Sequence, residues 1–242
     1  MSVLLHEISA ISDQCLEVMQ AVMSREVQAK EVTGEDAAPL DLAQALSDYF
    51  QTAALLETGE AYLEEAEMAE FANYGLNLLD RLAYLVRQLE LMDQRDNMSL
   101  VCPSMALWLA RREAVIDNLE GAADGFGMLV NGLSDTTELA EMCRMMDEVI
   151  EATSEQLQLD QDRDNPWRPW RIINLNTGIA ATRSLDPELM EIIFDKLGRR
   201  LPYDMAGFLA DGKRQMMVSN VPDEVVDVMN RYVERWPSDP PH

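Results

Sequence analysis

The residues best suited to recognition chemistry stand together at Asn165-Pro166-Trp167-Arg168-Pro169-Trp170-Arg171. Tryptophan offers a large apolar face and arginine a rigid fork of donors, and both types are enriched at binding hot spots. With Pro169 accommodated in a first helical turn, the spacing of three puts Trp167 and Trp170 on one side. Arg168 and Arg171 then share a second stripe. Asn174, Asn176 and Arg183 follow within a few turns, and Arg199 and Arg200 would extend the same positive patch. The chemistry this pattern offers is a groove for a peptide or a small anion. The competing reading keeps the tryptophans in the core and pairs the arginines with acids elsewhere in the chain.

Carboxylates are the second candidate chemistry. There are 44 Asp and Glu against 19 Lys and Arg, for a formal charge of −25. The densest helical patch is Glu64, Glu65, Glu67 and Glu70. Pairs such as Glu64/Glu67, Asp147/Glu151 and Glu148/Glu151 have spacing that suits a divalent ion or acid/base work. Close pairs are inevitable at this acid content, and no Glu-x-x-His occurs to build a di-iron bundle site. The two histidines, His6 and His242, are too few for three imidazoles around zinc. Cys15, Cys102 and Cys143 are far apart with no CxxC, and read as small buried hydrophobes in a reducing compartment. There is no GxxxxGK[ST] loop, and Gly125-Phe126-Gly127 does not follow a strand. No catalytic residue, metal ligand or cofactor is assigned.

The charge is uneven. Residues 1–100 sum to −14, residues 101–160 to −9 and residues 161–242 to −2. A surface this acidic repels phosphate backbones and anionic membranes. The partners expected are proteins, basic ones among them, or a second copy of the chain. The opening residues lack a basic n-region and no window reads as a membrane span, so a cytoplasmic location is expected.

The elements that must position these groups are helical throughout. Ile8, Ile11, Cys15, Met19 and Val22 recur at helical spacing, and Pro39 starts a second helix ending before Gly59, an αL cap position. Residues 60–92 form the longest periodic run, which Asn73-Tyr74-Gly75 would either kink or leave intact. Asp93–Ser99 reads as a polar connection, and Pro103 as the first residue of a helix that includes Leu119, with helical spacing resuming at Phe126 and Val130 after the glycines of 121–127 and stopping at Asn131-Gly132. Asp135-Thr136-Thr137-Glu138 has capping-box spacing ahead of a helix reaching Leu157. Residues 160–164 are a polar break. Asn165-Pro166, Asp186-Pro187, Pro202 and Asn220-Val221-Pro222 start the remaining helices. Met142, Met145, Met146, Met216 and Met217 would fill irregular space or line an adaptable groove. The tetratricopeptide pattern fails, because Arg111 and Arg112 stand where leucine and glycine belong after Trp108.

The fold expected is all-α, with eight to ten helices in antiparallel hairpins, as an irregular bundle or a short solenoid-like superhelix. Its parts are an acidic region 1–160, a near-neutral Arg/Trp region 161–236 and a tail 237–242, in one continuous domain or two. The function expected is a non-enzymatic protein-interaction or adaptor module with its contact surface around residues 165–183. The alternatives are a helical enzyme or receptor using arginines on a small anionic ligand, and a carboxylate metal-binding bundle.

Overall fold

The computed structural model describes residues 4–33, 39–159, 165–217 and 221–237. The sequence features at 160–164, Asn220 and residues 238–242 of the tail, with His242, lie outside the described residues. Among the described residues eleven helices follow in order. They are α1 (Ile8–Thr33), α2 (Pro39–Thr58), α3 (Glu65–Gln88), α4 (Met92–Ala110), α5 (Glu120–Gly132) and α6 (Thr136–Glu151). Next come the single turn α7 (Glu155–Gln158), α8 (Pro169–Arg183), α9 (Pro187–Arg200), α10 (Met205–Met216) and α11 (Asp223–Arg235). No strand occurs among the described residues. A lone parallel bridge joins Ile116 to Thr153, with Ile116 N donating to Ala152 O at 2.9 Å and Ser154 N to Ile116 O at 3.0 Å.

Many boundaries follow local rules. Asp135 Oδ1 accepts from the amides of Thr137 and Glu138, and Asp186 Oδ1 from that of Leu189, each satisfying orphan donors of a first turn. Gly59 takes φ +75° after α2, where an L side chain would be strained. The long run is one unbroken helix through Asn73-Tyr74-Gly75. Gly75 is there for packing, because a Cβ on it would lie 2.1 Å from Cζ of Tyr49.

Four expectations are corrected. Residues 93–99 are helical, and Pro103 lies inside α4 rather than at its start. From Val101 to Leu109 every residue of α4 is buried. A helix apolar on all sides belongs in the interior, and the surrounding helices hold it helical despite the proline. Pro103 has no amide to offer Ser99 O, and α5 closes on that spot: a Cβ on Gly125 would stand 2.8 Å from Ser99 O and 2.6 Å from Cγ of Pro103. The helix also stops at Ala110, so residues 111–119 connect α4 to α5 instead of extending it. Likewise α6 ends at Glu151, and Leu157 belongs to α7.

The helices form an irregular bundle and not a solenoid. In a solenoid each repeat touches only its neighbours. Here α4 packs on α1, α3, α5 and α6, and α8 packs on α5, α6, α9 and α10. Glu57 knots the first half together. Its Oε1 accepts from the Ile8 amide at 3.0 Å and from Trp108 Nε1 at 2.9 Å, and Arg112 stands 3.6 Å away. The Arg112 guanidinium in turn covers the Trp108 ring at 3.7 Å. Phe126 and Phe194 are fully buried, one in each half. Each contributes about 2–3 kcal/mol of transfer free energy.

Candidate functional site

Pro169 occupies the first position of α8, its fixed φ suiting that place, and Asn165 Oδ1 accepts from Trp167 N just before. The helix therefore starts three residues later than the Asn165-Pro166 pair suggests, and this separates the tryptophans. Trp167 is outside the helix and 78% exposed, whereas Trp170 is 2% exposed in the core. They do not share a face. Trp170 Nε1 is buried without a hydrogen-bond partner among the described residues.

The arginines divide into three separate arrangements. Arg168 and Arg171 meet on Asp204, just ahead of α10, at 3.6 and 2.6 Å. Arg171 Nη1 also donates to Pro166 O at 3.0 Å, so one guanidinium clasps the 165–168 turn to the 201–204 turn. Arg200 donates to Asp147 at 3.0 Å and to Glu151 on α6, and reaches Asn174 Oδ1 at 3.4 Å. Asn174 is buried, its Nδ2 donating to Trp170 O. Lys196 completes this network on Asp147 and Glu151. Burial raises the Glu151 carboxyl, but bonds from Lys196 and Arg200 outweigh it and hold the group below the usual carboxylate range. The third arrangement is Arg183 alone, whose nitrogens donate to the carbonyls of Val130 at 2.6 Å and of Leu133 at the end of α5. A cation suits that helix C-terminus. Arg199 is exposed on α9.

The acidic patch is exposed around the start of α3, where negative charge meets the positive end of the helix dipole. Glu67 Oε2 accepts from Glu64 N at 2.9 Å, so this pair serves the cap, and Glu65 and Glu70 stand beside it. Among the described residues no three His, Cys, Asp or Glu side chains are placed to hold a metal ion. Cys15, Cys102 and Cys143 are free and buried. Burial pushes the Cys15 and Cys143 thiols up to about 12 and Cys102 well above its ordinary value. Met142, Met145 and Met146 are core residues, while Met217 is 80% exposed.

What the packing creates is a groove of about 390 Å³ between α8 and α10. Leu175, Ile179 and Phe208 give it apolar walls, and Arg171, Asp204, Arg183 and Asp211 also line it. The two helices run parallel: Arg171 and Asp204 pair at their starts, and Thr182 and Gln215, near their ends, both line the groove. Tyr203, 65% exposed, neighbours Asp204, and Trp167 neighbours Pro166. Because Arg171 binds both Asp204 and Pro166, the turn that carries Trp167 is tied to the end of the groove that Tyr203 lines. A volume of this size lies in the range of ligand and peptide-anchor pockets. The α10 side, with Tyr203, Asp204 and Phe208, is absent from the sequence-derived set. Pro202 marked a helix start nearby, but no local signal tied Asp204 to arginines 33 and more residues earlier.

No family model, no curated protein and no solved structure matches this chain. No helix among the described residues is long and apolar enough to cross a membrane.

Proposed function

We propose that the chain is a non-enzymatic helical interaction module that receives a segment of a partner protein in the groove between α8 and α10. The observation that carries this reading is the largely exposed Tyr203 ring lining an apolar groove, with the exposed Trp167 in the turn that Arg171 ties to the same end. Exposed aromatics beside a concave apolar surface are the usual anchors of an interface. The small-anion receptor is less favoured, since Arg168, Arg171 and Arg200 already face carboxylates of the chain. The reading includes a cytoplasmic setting, supported by three free buried cysteines, and a second copy of the chain is one partner it allows.

Capture from native lysate by the tagged protein tests it, with a Trp167→Ala/Tyr203→Ala control. Both side chains are exposed, so the control keeps the parent's helical circular dichroism. A protein retained by the parent and released by the control supports the reading, provided crosslinks map it to α8 or α10. Equal capture by both, or crosslinks elsewhere, would sink it.

A further inference from the structure

The charged residues lining the groove are not equivalent. Arg171 and Arg168 share Asp204, and Asp211 is paired with Arg214 one turn further along α10. Arg183 differs from both. Its hydrogen bonds go to two main-chain carbonyls, and it forms no ion pair with any described residue. Arg183 also stands at a junction. The groove meets a second hollow of about 290 Å³ there, and both share Thr182, Arg183, Gly212 and Gln215. Beyond the junction the walls are again apolar, with Leu139, Leu185, Met216 and Val221. A half-buried guanidinium with two donors engaged thus sits between two apolar hollows. A guanidinium has five donors, and its strongest partner is a carboxylate held by two of them.

Resting on the docking reading above, we infer that the groove selects partner segments carrying a glutamate or aspartate between apolar residues. The carboxylate pairs with Arg183 and the apolar side chains fill the two hollows. This partner differs from the basic one that the net charge of −25 favours at long range. The two scales act on different steps. The overall field slows the approach of an acidic segment, while the local ion pair slows its departure. Salt screens exposed charges beyond about 10 Å at 0.1 M and a half-buried pair much less. Association of an acidic segment therefore speeds up as salt is added, whereas a basic segment held by the surface charge would associate more slowly.

The test is selection of random twelve-residue peptides displayed on phage, with the intact protein as bait and a Gly207→Trp variant as counter-bait. Gly207 lines the groove, and a Cβ there has nothing within 4 Å, so tryptophan fills the groove from open space. The expected peptides are lost on Gly207→Trp and carry one enriched acidic position flanked by apolar ones. Changing that Glu to Gln in a synthetic peptide weakens binding about tenfold or more. Arg183→Gln abolishes the Glu/Gln discrimination, and a circular-dichroism spectrum matching the parent's shows that the helices are still formed. Arg183→Lys keeps the charge without the fork and retains a reduced preference, so the proposal stays testable if Arg183→Gln does not fold. Peptides that need the open groove but show no acidic preference would overturn this inference and leave the docking reading standing. Peptides indifferent to Gly207→Trp, or no selectable peptide at all, would overturn both.

Discussion

Gly75→Ala tests whether the close approach of α2 and α3 is what the glycine is for. An alanine Cβ would stand 2.1 Å from Cζ, 2.2 Å from Oη and 2.5 Å from Cε2 of Tyr49. Carbon contacts are comfortable at about 3.5–4 Å, so the ring must retreat by roughly 1.5 Å. It has little room. Tyr49 is 3% exposed, stacked on Phe71 at 4.3 Å between centroids and set edge-on to Phe50 at 5.6 Å. Overpacking of a tight core costs about 1–3 kcal/mol, and a pinned ring belongs at the upper end. Alanine recovers about 1 kcal/mol of helix propensity, which leaves a net loss of about 2 kcal/mol. For a chain of this length that lowers Tm by about 4–8 °C. Urea unfolding should show a lower midpoint with an unchanged slope, since the surface exposed on unfolding is the same. The deciding measurement is a cycle with Tyr49→Leu, which removes the far half of the ring. In that background Gly75→Ala should stabilise by up to about 1 kcal/mol. An equal loss in both backgrounds would refute the collision, and no loss in the parent would refute the packing argument altogether.

Gly178→Ala makes a similar approach, 2.7 Å from Cζ of Phe208, but that ring is half-buried and borders the open groove. It can swing aside, so stability should stay within about 1 kcal/mol of the parent while a groove-selected peptide binds about tenfold more weakly; a Tm loss as large as for Gly75→Ala would contradict this. Asp80 sits beneath α5, where burial raises its pKa despite the hydrogen bond from Asn118. A raised carboxyl costs stability when ionised, so Asp80→Asn should raise Tm at pH 7. The gain should fade as pH falls through the raised folded value and vanish below the unfolded value of about 3.9; a gain that persists in acid would assign it to another cause. The three thiols should resist an aromatic disulfide reagent at pH 8 and all react once urea unfolds the chain, because burial suppresses both thiolate and access.

Much of the fold was legible because its signals are local. Apolar spacing located α1, α2, α3, α6 and α9, and Asp135, Asp186, Pro187 and Gly59 marked ends through bonds or dihedrals set within a few residues. Local signals misled where the environment overrode them. Pro103 reads as a helix start, yet α4 continues through it because that helix is enclosed on all sides and gains more from burial than the missing bond costs. In the Trp/Arg segment, the three-residue shift in helix start put one tryptophan in the core and the other in solvent.

The amino-acid order determined the all-α class, most of the caps and the acidic-to-neutral gradient, since helix periodicity, capping and charge need only near neighbours. Tertiary packing decided the site. Asp204 meets Arg168 and Arg171, Arg200 meets Asp147, and Arg183 meets the end of α5 across separations of 33 to 53 residues. None of these pairings is encoded by spacing along a helix. They follow from α8 lying against α5, α6 and α10, which neutralises most of the arginines and leaves Arg183 facing a groove that no single segment contains.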